Sequence, residues 1–386
     1  MATGSLEKRY TPLIILLLVA ALVTVVGLWA ADRAGTGPVE TVTGADRSTE
    51  TFEWKLVTTW PKNFPGLGTG PEKFARWVNE MSDGRLTVRV YGAGEIVPAF
   101  EVFDAVSQGV ADAGHGAAYY WKGKVPSSVF FATVPFGFNA QEMNAWLHYG
   151  GGLELWREIY APFNLVPMAG GNTGVQMAGW FNKEINSVED LKGLKMRIPG
   201  LAGEAFAATG GISVRIPGGE LYTSLQTGVI DALEWVGPYN DLAFGFYQVA
   251  KYYYYPGWHE AGPTLEFIVN KQSLEALPPD LQAIVKYAAR AANQDMLDEF
   301  TARNNAALRE LVDEHGVQLR RLPDDVLLAL WRASEQVMQD LVAKDPTAAR
   351  VYESFKSFYD GARAYHHISE QAYINSRDRV MDSTAE

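Results

Sequence analysis

The run Gly193–Tyr239, GLKMRIPGLAGEAFAATGGISVRIPGGELYTSLQTGVIDALEWVGPY, decides the fold. Leu194–Ile198 reads as a short strand with Arg197 at its end. A helix start follows, then a second short strand at Ser213–Ile216 and a helix over Gly219–Thr227. The strand-like Ile230–Trp235 closes the unit and carries Glu234 and Trp235. Arg197, Glu234 and Trp235 are thus presented from strand ends of one αβ unit. In open α/β sheets, ligands sit in the crevice at the carboxyl ends of strands. An arginine there suits a carboxylate, because its planar fork of donors matches two carboxylate oxygens. The stretch predicts an α/β fold with a site for a small carboxylate, and Glu234 as a candidate holder of a cation.

The bulk composition narrows what surrounds this unit. A length of 386 residues predicts two domains, and 47% hydrophobic residues supply an ample core. A net charge of −12 argues against a nucleic-acid partner. The absence of cysteine excludes disulfides, thiolate zinc sites, cysteine nucleophiles and lipid attachment at an N-terminal cysteine. Pro12–Ala31 is an unbroken apolar run, and about 20 such residues span a bilayer. Its candidate cleavage sites pair Ala30 with Leu28 or Ala31 with Trp29, both poor matches to a small-x-small site. We therefore read an uncleaved anchor over a cleaved signal. Lys8 and Arg9 keep the N-terminus cytoplasmic and export the remainder. Asp32–Thr51 reads as a linker.

Along the exported part, strands are predicted at Phe52–Thr59, Leu86–Tyr91, Asn164–Gly170, Val175–Phe181 and Leu265–Asn270, with Ala111–Ala118 a strand or loop. Helices are predicted at Pro71–Ser82, Ala99–Gly109 and Gln141–Tyr160. The opening β-α-β-α-β order implies a parallel sheet. Gly66, Gly68 and Gly70 do not make a phosphate loop, because Pro71 stands where that pattern continues. From Pro279 to Glu314 a helical stripe of Leu281, Val285, Ala288, Ala292, Met296 and Phe300 runs up to Gly316 and predicts a spine through both domains. Asp324–Lys344 and Thr347–Asn375 are two further helices. Tyr119–Trp121 is either interdomain packing or a pocket wall, and Lys251–Trp258 (KYYYYPGW) reads as aromatic packing at a domain junction. Gln176 is a polar residue inside its predicted strand, facing either solvent or a site.

Catalytic signatures are few. Neither G-x-S-x-G nor H-E-x-x-H occurs. His366 and Glu370 share a helix face at i, i+4 but read as surface residues. His259-Glu260 reads as a packing or hydrogen-bonding pair; as acid and base it would support the alternative, an exported carboxylate-acting enzyme. An anchored sensor or scaffold is a third option, disfavoured by a cytoplasmic tail of only about ten residues. The lack of a recognisable nucleophile favours binding over turnover.

At Gly193–Pro199 and Leu225–Val236 (LQTGVIDALEWV) the chain resembles the extracytoplasmic solute-binding proteins of tripartite ATP-independent periplasmic (TRAP) transporters. Ala111–Ala113, the lead-in Ser187–Gly193 and Leu277–Pro279 extend the likeness, which runs from Trp54 into the C-terminal helices. The resemblance implies a two-domain, periplasmic-binding-protein-like α/β fold with hinge strands, a long domain-spanning helix and extra C-terminal helices. On this chain that means an anchor or signal segment plus linker at 1–51 and domain I at 52–172 with about 263–305. Domain II is then 173–262 with about 306–345, and 346–386 is a C-terminal helix for dimerisation. Arg197 then pairs with the substrate carboxylate. Glu234-Trp235-Val236, where many members have Glu-Asn-Pro, is similar to a subgroup for 2-oxo or 2-hydroxy acids, as are Gly174–Met177 and Tyr255–Trp258. That subgroup holds its ligand with Na⁺ or Ca²⁺. It implies Gln176, Glu234 and the Trp235 carbonyl as metal ligands, and Gln176, Trp235 and Tyr120 beside Arg197 as substrate contacts. It further implies TRAP permease subunits as partners, a homodimer exchanging the C-terminal helix, no catalysis, and a periplasmic protein tethered by residues 12–31.

Overall fold

In the computed structural model the described residues are 16, 18–26 and 50–383. From the anchor predicted at Pro12–Ala31, Leu16 and Leu18–Val26 are helical and exposed, and the remainder lies outside the described residues. Among the described residues no helix is long and apolar enough to cross a membrane.

Eleven strands are found among the described residues: β1 (Phe52–Thr58), β2 (Leu86–Tyr91), β3 (Ala113–Gly116), β4 (Leu165–Asn172), β5 (Gly179–Phe181), β6 (Lys195–Arg197), β7 (Ile212–Val214), β8 (Ala232–Leu233), β9 (Tyr252–Tyr255), β10 (Thr264–Asn270) and β11 (Gln318–Arg321). They form two sheets, ordered β2-β1-β3-β10-β4 and β11-β9-β5-β8-β6-β7. In the first sheet β1 pairs parallel with β2 and β3, as the opening βαβ pattern predicts. However, β10 is antiparallel to both β3 and β4, so the sheet is mixed. The cause is the path of the chain. It leaves this sheet at the end of β4 and re-enters beside it at β10, with Asn172 opposite Thr264.

Two crossovers therefore run side by side between the sheets. The first follows β4 through Gly174, whose φ of 69° is the left-handed conformation glycine adopts without strain. The second follows β9 through Pro256–Gly262. Asn172 ties them, its Nδ2 donating to the Gly262 carbonyl at 2.9 Å. The predicted strand Val175–Phe181 is thus cut to Gly179–Phe181, and Gln176 lies on the first crossover rather than inside a strand.

The two predicted long helices are also broken. Gln141–Tyr160 splits into Ala140–Tyr149 and Gly152–Tyr160. Gly151, with φ 85°, reverses the backbone between them, and glycine is the residue that does this most readily. Asn139 and Glu142 form a capping box at the first of these helices, satisfying backbone N–H groups that the helix leaves unpaired. Thr347–Asn375 is replaced by Pro346–Ile368 and Glu370–Ser383. They meet at Ser369, whose hydroxyl donates to the Tyr365 carbonyl. His366, read as a surface residue, is half-buried and sits 2.7 Å from Glu142 Oε1.

The helix Pro279–Asp313 extends for 35 residues, about 50 Å at about 1.5 Å per residue. Its stripe is buried from Leu281 to Phe300 and continues at Ala307 and Leu311. Met296 lies against Gly171 of β4. Further along, Asn304 accepts the Tyr239 N–H at 3.0 Å and Glu299 accepts the Tyr239 hydroxyl at 2.9 Å. Tyr239 follows β8, so this helix packs on segments from both sheets. The core under the first sheet includes Trp54, Phe74 and Phe267, and that under the second includes Phe181, Met196 and Phe206.

Candidate functional site

The carboxyl ends of β6 and β8 face the two crossovers, and the polar side chains of that region point inward. Arg197 ends β6 and is 2% exposed. Its Nη1 donates to Glu234 Oε1 at 2.5 Å and to the Glu234 carbonyl at 2.8 Å. Its Nη2 donates to the Tyr120 hydroxyl at 3.3 Å, and Nε to the Ile216 carbonyl at 3.3 Å. The guanidinium carbon also lies 5.2 Å from the Trp235 ring centroid, a cation–π distance. Burial opposes its charge, but Glu234 together with Tyr120, Tyr119 and Glu260 outweighs that and raises the Arg197 pKa. A guanidinium held this way is a charged donor in a place that water does not screen.

The segment Glu234–Val236 is fixed by its neighbours. Asp241 accepts the Val236 N–H at 3.3 Å, Trp180 Nε1 at 3.0 Å and the Tyr253 hydroxyl at 2.6 Å. Burial pushes the Asp241 carboxyl up to about 7 even with these donors. The Val236 carbonyl accepts the Met177 N–H at 3.0 Å, which joins this segment to the first crossover. The Gln176 N–H in turn donates to the Glu260 carbonyl at 3.0 Å, joining the two crossovers. Gly257 makes this approach possible. A Cβ there would lie 2.1 Å from the Gln176 carbonyl oxygen, so only glycine fits.

Four of the five residues predicted for the site line one small cavity, and the fifth, Glu234, is bonded to one of them. Tyr120, Gln176, Arg197 and Trp235 line it, with Glu260 and Trp60, and its volume is about 10 Å³. Glu234 bonds Arg197 at its edge. Trp60, Tyr120 and Trp235 form the aromatic wall, with Trp60 6.0 Å from each of the other two rings. Of the run Tyr119-Tyr120-Trp121, Tyr119 and Tyr120 line the cavity, the pocket-wall reading of the two left open. Tyr120 faces the cavity, whereas Trp121 turns into the core and donates from Nε1 to Glu266. Burial raises both Tyr119 and Tyr120 above the ordinary phenol range, so each stays neutral and able to donate.

The donor set fits a hard cation. Gln176 Nε2 donates to Thr173 Oγ1 at 3.0 Å, which turns Oε1 away as a buried oxygen with no hydrogen-bond partner. An orphaned buried acceptor beside a buried carboxylate is unfavourable unless a cation or donor meets it. Oxygen atoms alone suit Na⁺ or Ca²⁺.

His259 and Glu260 were read in sequence as a packing or hydrogen-bonding pair, or as an acid and base, yet they belong to this site. His259 Nε2 lies 3.4 Å from Glu234 Oε2, and both ring nitrogens lack a hydrogen-bond partner. Burial and the neighbouring Glu234 charge push Glu260 well above the ordinary carboxylate range. The available signal was their position on the turn after β9, opposite Gln176. Trp60 gave no such signal.

Comparison with known proteins adds a lineage. The family described as DctP, bacterial extracellular solute-binding protein, family 7, matches residues 56–345. A monocarboxylate 2-oxoacid-binding periplasmic protein of Nostoc sp. is 44% identical over 323 residues, covering 83% of this chain and 88% of that protein. A TRAP periplasmic solute-binding protein of Colwellia psychrerythraea, solved with calcium and pyruvate, superposes with a TM-score of 0.83 at 45% identity. The match covers 85% of this chain and 100% of that one. A counterpart from Pseudoalteromonas atlantica, solved with sodium and pyruvate, has a TM-score of 0.83 at 46% identity, over 85% of this chain and 99% of that one. All three are solute-binding proteins.

Proposed function

The chain belongs to family 7 of the bacterial extracellular solute-binding proteins, and from that premise we propose that it is a TRAP solute receptor for a small 2-oxo or 2-hydroxy monocarboxylate, bound together with Na⁺ or Ca²⁺. The observation that carries this is one aromatic-walled cavity lined by the buried Arg197, which is bonded to the Glu234 carboxylate, and by Gln176, whose Oε1 has no partner. Arg197 takes the ligand carboxylate as a fork, and Tyr120 donates to it from the side. Gln176, Glu234 and the Trp235 carbonyl hold the cation, whose charge offsets Glu234 and so removes its repulsion of an anion. When bound, the cation also offers coordination positions to the ligand's carboxylate and 2-oxygen. Domain I (52–172 and about 263–305) and domain II (173–262 and about 306–345) close on the ligand through the two crossovers. The receptor delivers it to the TRAP permease. Relatives solved with pyruvate and with calcium or sodium support this ligand class.

The test is a thermal-shift screen of the metal-stripped protein against mono- and dicarboxylates, each with Na⁺, Ca²⁺ or chelator. A ligand at 100 times its Kd adds about 2.7 kcal/mol. A rise with pyruvate or lactate that requires a cation is expected; an equal rise under chelator refutes the metal role, and no rise with any acid refutes the receptor.

A second copy fits the C-terminal region. The helix Glu370–Ser383 buries no residue and exposes Tyr373, Ile374 and Val380. A groove of about 740 Å³, lined by Trp331, Met338, Phe355 and Tyr359 among others, lies on the outer face of the Trp258 turn. We assign that groove to the partner's C-terminal helix. Light scattering should give a dimer, and a monomer after truncation at Ser369. We place the folded part in the periplasm with residues 12–31 as its tether; release of the protein by osmotic shock alone would remove the tether from this account.

A further inference from the structure

We propose that Glu234, His259 and Glu260 form a site for a divalent transition-metal ion, in which the imidazole of His259 is a direct ligand. One donor atom from each of the three lies within 4.8 Å of the others. His259 is 0%, Glu234 1% and Glu260 3% exposed. Carboxylates near one another do not make a site. The independent observation is the histidine: its ring is wholly enclosed, and neither nitrogen has a hydrogen-bond partner. Nε2 approaches Glu234 Oε2 at 3.4 Å without forming a bond of good geometry. A buried imidazole with two unsatisfied polar atoms is unfavourable in an apolar interior, and folding retains such a group where something else meets it.

The surroundings of His259 fix its ring in place. The His259 carbonyl accepts Thr133 Oγ1 at 3.4 Å, and Trp258 packs against the ring at 5.7 Å between centroids. Ligand bonds of about 2.0–2.2 Å put neighbouring tetrahedral donors about 3.4 Å apart, so the observed spread closes by small side-chain rotations. A dication also relieves the repulsion between the Glu234 and Glu260 carboxylates, of which Arg197 partners only Glu234.

Chemistry separates this ion from the one described above. Ca²⁺ and Na⁺ take oxygen, whereas imidazole with carboxylate suits Zn²⁺, Co²⁺, Ni²⁺ or Cu²⁺. The two sites share Glu234 and so compete. The inference rests on the earlier reading only through that shared carboxylate.

The test uses the metal-stripped full chain and Co²⁺ alone. Visible absorption should gain intensity over the aqueous ion and saturate at one equivalent. His259→Gln should weaken Co²⁺ binding at least tenfold, and by clearly more than it weakens the Ca²⁺-dependent thermal shift with pyruvate. A Co²⁺ spectrum identical in wild type and His259→Gln overturns the proposal. So does an equal loss of the Ca²⁺ and Co²⁺ responses, which would make His259 a positioning residue for Glu234. Should His259→Gln fail to fold, the electron-spin-echo spectrum of the wild-type protein with Cu²⁺ decides: imidazole nitrogen modulation supports the site and its absence refutes it. Failure of pyruvate to bind under any ion would sink the receptor reading and leave the Co²⁺ result standing.

Discussion

The two sheets handle buried charge in opposite ways. In the first, strands run to 7 or 8 residues in β1, β4 and β10, and the buried acid Glu266 lies mid-strand with aromatic donors. In the second, β5, β6 and β7 have three residues and β8 two. Here the buried charges sit where strands stop. A short ladder fixes few backbone groups, so the chain beyond it is held by side chains such as Asp241 and by close contacts such as Gly257 on Gln176. Both sheets rest on apolar cores, but around the second the site also depends on polar groups each finding a partner.

The sharpest break in this comparison is Arg197→Ala. It removes the proposed carboxylate clamp and leaves Glu234 buried without its counter-charge, a loss of about 2–5 kcal/mol for a pair of this kind. Calorimetry should show ligand binding abolished; unchanged affinity would refute the site. Glu234→Ala should weaken cation-dependent ligand binding at least tenfold, read by the same titration with and without Ca²⁺. Gly257→Ala tests whether backbone contact sets the site. Displacing the Gln176 carbonyl should cost about 1–3 kcal/mol in stability and lower the apparent cation affinity several-fold.

The smallest effect belongs to the other sheet. Burial pushes Glu266 up to about 8 from an ordinary 4.5, so the native state keeps a proton that the unfolded chain loses. Its contribution is full below about 4.5 and is lost as pH rises through about 8. Glu266→Gln should therefore flatten the fall in Tm between pH 5 and 8 without touching ligand affinity. A Tm profile parallel to wild type would show that this acid is not the group responsible.

Legibility in the sequence follows the same division. β2 and the helix Asp324–Lys344 match their predicted ends, because alternation, or an apolar stripe with acidic residues in its first turn, within one segment determines them. The antiparallel entry of β10 depends on the path through the other sheet, which no local pattern records. The helix breaks at Gly151 and Ser369 were hidden because the apolar spacing continues across them. Arg197, Glu234 and Trp235 could be placed together because they end adjacent strands of one unit. Gln176 and Tyr120 were noted in the sequence with two readings each, and only family resemblance gave them roles as metal ligand and substrate contact. His259 and Glu260 were visible as residues but not as neighbours of Glu234, since their nearness arises from two crossovers running side by side.

Trp235 stands between the Arg197 cation and the Trp60 ring. An indole so placed changes its emission when the charge beside it moves. Occupancy of the cavity by an anion should therefore change the emission of Trp235, a readout that needs no label.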